Sequence, residues 1–119
     1  MSRKFYPVLL LSILFFQFPA FSQAFNLLKD INPGNASSSY FNATNINGVL
    51  YFRPDDGVHG DELWKSNGTV AGTLMVKDIN PGPEGGILST LFASNGSVYL
   101  QANDGTHGNE LWKSDGTEA

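Results

Sequence analysis

The sequence predicts an all-β protein assembled from tandem four-stranded antiparallel units of 48 residues. Three observations carry this expectation. An octapeptide occurs twice, as Glu62-Leu63-Trp64-Lys65-Ser66-Asn67-Gly68-Thr69 and as Glu110-Leu111-Trp112-Lys113-Ser114-Asp115-Gly116-Thr117. Short apolar runs follow one another, each ended by Asn-Gly, Asp-Gly or Pro-Gly. Past the first two dozen residues, no stretch shows a helical period.

The duplication extends well beyond the octapeptide. Residues 29–71 laid over 77–119 need no gap and agree at 21 of 43 positions. Lys-Asp-Ile-Asn-Pro-Gly recurs at 29–34 and 77–82, and Asn-Gly at 47–48 and 95–96. Asp-Gly-x-His-Gly recurs at 56–60 and 104–108, directly before the octapeptide. A fixed period of this length marks a repeat architecture. The expected organisation is a leader at 1–24, a first unit at 25–72 and a second at 73–119.

Each unit reads as four extended segments. In the second they are 73–79, 87–93, 98–102 and 110–114; in the first, 26–31, 40–46, 49–53 and 61–66. The Asn-Gly dipeptides are strong hairpin signals, because both turn residues tolerate positive φ. Side chains alternate across a strand, so Leu50 and Phe52, like Val98 and Leu100, share one face, and Tyr51 and Tyr99 take the other. Leu111 and Trp112 are adjacent and must point to opposite faces. A sheet with a large apolar group on both faces is one packed between neighbours, as in β-propeller-like blades. A stacked β-solenoid is the alternative. Two units would not close a propeller, which has about 4–8 blades. The second copy reaches Thr117-Glu118-Ala119, where the first runs on through Gly72-Thr73 to its next strand. The expectation is a longer array, or copies that associate to complete the ring.

The first residues carry a different signal. Arg3 and Lys4 precede an apolar stretch at 8–16 broken only by Ser12; Gln17 and Pro19 end it, and Ser22-Gln23-Ala24 supplies small residues. This is the pattern of a secretory signal peptide cleaved after Ala24. The stretch is shorter than the roughly 20 apolar residues that span a bilayer. The predicted location is secreted, extracellular or at the cell surface, with no membrane span in the mature chain. Seven basic and eleven acidic residues give −4, and losing Arg3 and Lys4 gives −4 − 2 = −6. That balance argues against a nucleic-acid partner. The chain has no cysteine, which excludes a disulfide framework, a thiol nucleophile and a cysteine metal site.

The residues that could carry chemistry lie in two matching loops. Asp55, Asp56, Asp61 and Glu62 in one, with Asn103, Asp104, Asn109 and Glu110 in the other, offer oxygens around glycine turns, as calcium requires. Their spacing departs from the EF-hand pattern. The alternative is a hairpin connection in which the aspartates accept bonds from backbone amides. His59 and His107 are expected to link each loop to Glu62 or Glu110. Ser66, His59 and Asp56 can be combined on paper into a nucleophilic triad, but every member is duplicated and no serine elbow or phosphate loop is present. No enzymatic activity is expected, and no cofactor beyond calcium. Trp64 and Trp112 are expected to pack between units with the indole N–H on a loop carbonyl; stacking on a sugar is the functional alternative. Asp115, Gly116 and Gly68 are expected to form the turns that leave the last strand.

These motifs resemble the ELWxxDGT repeat, a tandem module of secreted and surface proteins of bacteria. The resemblance rests on Glu110-Leu111-Trp112, Asp115-Gly116-Thr117, the trailing Gly72-Thr73, Val76-Lys77-Asp78-Ile79 with Pro81-Gly82, and Tyr99 after Asn95-Gly96. It spans 25–119, with Asn67 the single departure from the name-giving motif. The resemblance implies an extracellular, propeller-like repeat protein and supplies no catalytic residue. The function expected is a non-catalytic scaffold or binding module for surface adhesion. Its partners would be sister repeats, further copies, a surface glycan or a protein. A calcium-stabilised carbohydrate-binding module and a purely structural repeat are the alternatives.

Overall fold

A computed structural model of the chain describes residues 1–2, 24–38 and 42–118. The signal-peptide reading falls on 3–23 and lies outside the described residues. Seven strands form: β1 (Thr44–Ile46), β2 (Val49–Phe52), β3 (Leu63–Ser66), β4 (Leu74–Lys77), β5 (Phe92–Ser94), β6 (Ser97–Asn103) and β7 (Asn109–Ser114). The described residues contain no helix. The protein is all-β, with two antiparallel sheets ordered β1-β2-β3-β4 and β5-β6-β7. Among the described residues these sheets close neither a barrel nor a propeller.

The hairpins form where the sequence places them. Asn47 and Gly48 have φ of 52° and 83°, and Asn95 and Gly96 have 48° and 74°. Both central residues are left-handed, the geometry whose twist matches that of the flanking strands. The register follows, with Ile46 opposite Val49 and Ser94 opposite Ser97.

The expected strand at 26–31 is not one. Residues 24–30 are irregular, whereas the matching Leu74–Lys77 is strand β4 and belongs to the first sheet. The reason is pairing: β4 lies on β3 through Leu63↔Lys77, Trp64↔Met75 and Lys65↔Leu74, with a bulge between Leu63 and Trp64. Among the described residues, no strand lies beside 26–29. An extended segment without a partner has no ladder to hold it. Each sheet therefore begins at its Asn-Gly hairpin, and Leu74–Lys77 closes the first sheet rather than opening the second. The expected strand at 87–93 is also shorter, since only Phe92–Ser94 is strand and Ile87 makes an isolated bridge to Ala102.

One core joins the two sheets. Tyr51, Leu63 and Val76 of the first meet Val98, Leu100 and Ala102 of the second, with Ile87 and Leu91 from the connection. Trp112 sits opposite Leu100 in register, so it shares that face and packs on the cluster. Backbone bonds tie the sheets further, from Gly86 and Ile87 N–H to Asp61 O, both 3.1 Å. Arg53 Nη1 reaches Ile87 O at 3.1 Å and Asp61 Oδ2 at 3.3 Å. Gly60 and Gly85 meet here so closely that a Cβ on Gly60 would run into the backbone of Gly85. Only glycine permits that approach.

Candidate functional site

The loops after β2 and β6 hold the oxygen-rich residues singled out in the sequence. In the first, Asp56 Oδ1 accepts from the amides of Val58 (2.9 Å) and His59 (2.8 Å), and Asp55 Oδ1 from Gly57 (2.7 Å). In the second, Asp104 Oδ1 accepts from Thr106 (2.9 Å) and His107 (2.8 Å), and Asn103 Oδ1 from Gly105 (2.8 Å). Every one of these bonds recurs 48 residues on, including Asp55 replaced by Asn103. Asparagine and aspartate each present an oxygen to the amide two residues ahead, so either serves the turn.

The histidines correct an expectation. His59 Nδ1 lies 2.7 Å from Asp56 Oδ2, and His107 Nδ1 lies 2.7 Å from Asp104 Oδ2. Their partner is the aspartate three residues earlier, not Glu62 or Glu110. The Asp-x-x-His spacing was visible in the sequence, since the turn folds residue four back over residue one. Hydrogen bonding to Asp104 raises the pKa of His107 above 6.5, and bonding to Asp56 does the same for His59. The His107 amide and ring, followed by the Thr106 amide, hold Asp104 far below the usual carboxylate range. Burial pushes Asp56 upward, but the bonds from the His59 ring and the His59 and Val58 amides outweigh it and leave the value lowered.

A pH dependence follows from these directions. Stability from a histidine with a raised pKa is fully present below its unfolded value of 6.5 and is lost as pH rises through the folded value. Stability from the aspartates is present above 3.8 and is lost as pH falls through their lowered values. Melting temperature is therefore expected to decline above neutral pH. The double variant His59→Gln/His107→Gln should show a flatter profile. Equal slopes in thermal melts of the two proteins would contradict this.

Glu62 is set apart from the rest of the acidic set. It is 0% exposed, and its Oε2 and Oε1 accept from the Ile79 amide at 2.9 Å and the Asn80 amide at 3.2 Å. Burial raises its pKa against those two bonds. Burial likewise raises Asp61, with Arg53 opposing. Glu110, the sequence counterpart of Glu62, is exposed. Asn109 Oδ1 accepts from Asn103 Nδ2 at 3.1 Å. Among the described residues, no three His, Asp or Glu side chains gather as a metal-holding group. The eight calcium candidates are thus divided between two loops, most of them turned toward backbone amides.

Ser66 is likewise engaged elsewhere than in a triad. Its hydroxyl lies 2.8 Å from Thr73 Oγ1 and accepts from the Gly68 amide at 3.1 Å. The exit turns match closely. Thr69 N and Oγ1 donate to Asn67 Oδ1 at 3.1 and 2.7 Å; Thr117 N and Oγ1 donate to Asp115 Oδ1 at 2.9 and 2.6 Å. The Thr117 hydroxyl and amide hold the Asp115 pKa down. Gly116 O receives Lys65 Nζ at 2.7 Å, which fastens this turn to the first sheet.

Trp64 and Trp112 both lie against protein rather than standing free. Trp112 Nε1 donates to Ala102 O at 3.1 Å, a strand carbonyl rather than the expected loop carbonyl. Trp64 is 7% exposed, its ring carries Lys29 Nζ at 5.7 Å from the centroid, and its Nε1 has no partner among the described residues. Beside Trp112 a cleft of about 630 Å³ opens between the sheets, bordered by Lys77, Leu100, Asp104, Lys113 and Asp115. Against known proteins, no family model matches the chain, and no curated protein and no solved structure matches it.

Proposed function

We propose that this chain is a secreted, non-catalytic β-repeat scaffold of the ELWxxDGT type, whose 48-residue units act as propeller-like blades and serve association at the cell surface. The observation that carries the reading is the doubled loop chemistry. The groups that could have made a site, Asp56, His59, Asp104 and His107, make the same bonds to their own loops in both copies. Groups used identically in successive units serve what the units share, namely their fold. The opposed faces of the Leu-Trp pair support the blade reading, because each sheet needs a neighbour on both sides.

The cleft beside Trp112 favours a second reading, a calcium-stabilised carbohydrate-binding module. An indole flanked by carboxylates and lysines suits a sugar ring. Two measurements separate the readings. A calcium site with Kd near 50 µM, filled at 5 mM, would add about 2.7 kcal/mol to stability. The scaffold reading expects an unchanged melting temperature at that concentration. It also expects glycan-array signals that do not depend on Trp112. A calcium-dependent melt, or glycan binding lost in a folded Trp112→Ala variant, would transfer support to the second reading.

A further inference from the structure

We propose that Asn95 is a site of self-modification, where the Gly96 amide nitrogen closes on the Asn95 side chain, expels ammonia and leaves aspartate or isoaspartate in the β5–β6 hairpin. The chemistry starts from an asparagine followed by glycine, whose missing Cβ leaves the attacking nitrogen unshielded. The Gly96 nitrogen gives up its proton and bonds to Asn95 Cγ. The Cγ–Nδ2 bond breaks, and Nδ2 departs with that proton as ammonia. The product is a five-membered succinimide ring, which water then opens. Opening at Cγ yields aspartate; opening at the main-chain carbonyl yields isoaspartate, with the chain running through Cγ. The net change is one water consumed and one ammonia released, with no oxidation or reduction.

Asn-Gly or Asp-Gly occurs six times, at 47–48, 56–57, 67–68, 95–96, 104–105 and 115–116. In five of them a nearby side chain holds the glycine amide. Gly48 N donates to Asn45 Oδ1 at 3.2 Å, Gly57 N to Asp55 Oδ1 at 2.7 Å and Gly105 N to Asn103 Oδ1 at 2.8 Å. Gly68 N donates to Ser66 Oγ at 3.1 Å and Gly116 N to Ser114 Oγ at 3.0 Å. Each bond points the N–H at another acceptor and must break before the nitrogen can turn toward the preceding side chain. The acceptors beside Asn47 and Asn67 are a neutral amide and a hydroxyl, too weak as bases to take the proton. Asn67 is held twice over, since its Oδ1 also accepts from Thr69 N and Oγ1. The three aspartates are guarded again by their lowered pKa, because ring closure from aspartate needs the neutral acid.

Gly96 is the exception. Its amide donates to no side chain among the described residues, because Ala93 stands where the first unit has Asn45. The difference lies in a residue three positions before the glycine, so the two hairpins are distinguished by their own sequence. Ring closure also requires the turn to loosen. In the first hairpin Ile46 and Val49 flank the turn and pack on the core, whereas Ser94 and Ser97 take those places in the second. The two products differ in consequence. Aspartate suits the position as asparagine does, since Asp-Gly is accepted in the same turn. Isoaspartate adds one main-chain atom to a two-residue turn with φ of 48° and 74°, which breaks the pairing of Ser94 with Ser97.

Timed peptide mapping of the full chain tests this. The folded protein is held in warm, mildly alkaline buffer and sampled with trypsin; Lys65 and Lys77 place Asn47, Asn67 and Asn95 on separate peptides. The mass gain from amide to acid gives each rate, and chromatography separates aspartate from isoaspartate. Asn95 is expected to convert at least about fivefold faster than Asn47 or Asn67, the factor that one hydrogen bond of ordinary net strength makes in a rate. In concentrated urea, where the turns are lost, the three rates should draw together. Ala93→Asn gives the second hairpin the cap of the first and should slow Asn95 by a similar factor. Asn45→Ala should speed Asn47 in the same measure. Positions 45 and 93 are exposed, so both variants should fold, as circular dichroism will show. Equal rates at the three asparagines of the folded chain overturn the proposal. So does a ranking that persists unchanged in urea, or an Asn95 rate indifferent to Ala93→Asn in the folded variant.

Discussion

Replacing Glu62 by alanine is expected to cost about 3 kcal/mol of folding stability, whereas the same change at Glu110 should cost less than about 0.5 kcal/mol. The two residues occupy the same position of the octapeptide, so the sequence gives no reason to separate them. Their surroundings do. Glu62 is 0% exposed and holds the amides of Ile79 and Asn80 at 2.9 and 3.2 Å. Alanine would remove the acceptor from two amides that have no other bond in that place. A buried donor left unsatisfied costs about 1–3 kcal/mol, and more where the lost partner was charged. Glu110 is exposed, and water replaces whatever it loses. Urea unfolding followed by tryptophan fluorescence reads both variants, since Trp64 and Trp112 lie two residues from the mutated positions.

The protonation of Glu62 adds a second signature. Burial raises its pKa above 4.5, so between that value and the raised one the folded state holds a proton that the unfolded chain has released. The folded state binds more protons in that window, and stability falls as pH rises through it. Glu62→Gln removes this titration while conserving shape, so its stability profile should be flatter across the acid range. Its amide group places a donor where the carboxylate presented an acceptor, and it too is expected to be less stable than wild type.

Local chemistry was legible in the sequence, and pairing was less so. The Asn-Gly hairpins appear where expected because that dipeptide satisfies the φ of both turn positions without help from the rest of the fold. The opposed faces of Leu63 and Trp64 follow from strand alternation alone. What alternation cannot say is which sheet a strand joins. Residues 26–31 and 74–79 end on the same Lys-Asp-Ile and are both rich in apolar residues, yet the first is irregular up to Asp30 and the second opens with β4, because only the second has β3 beside it among the described residues. The histidine partner was within reach of the sequence, in the Asp-x-x-His spacing at 56–59 and 104–107. Glu62 and Glu110 stand equally far on the other side, three residues after the histidine, so spacing alone does not choose between the two carboxylates. The carboxylate of Glu62 is instead taken by residues 17 and 18 positions further on, a contact with no local signal.

Leu63→Ala is the other large effect, with an expected loss of about 2–5 kcal/mol against less than about 0.5 kcal/mol for Leu111→Ala. Leu63 is 1% exposed in the core between the sheets, where Tyr51, Val98 and Leu100 also converge. Removing its branched end takes apolar surface out of a packed interface and leaves a cavity. Both sheets are tied at this point by backbone bonds to Asp61, which limits how far the walls can close around it. Leu111 is 77% exposed on the outer face of the second sheet and touches no such interior. Two leucines in octapeptides that differ only at Asn67 and Asp115 thus become a direct measure of what a neighbouring sheet contributes. Were both substitutions to cost the same small amount, the inter-sheet core would not be the seat of stability.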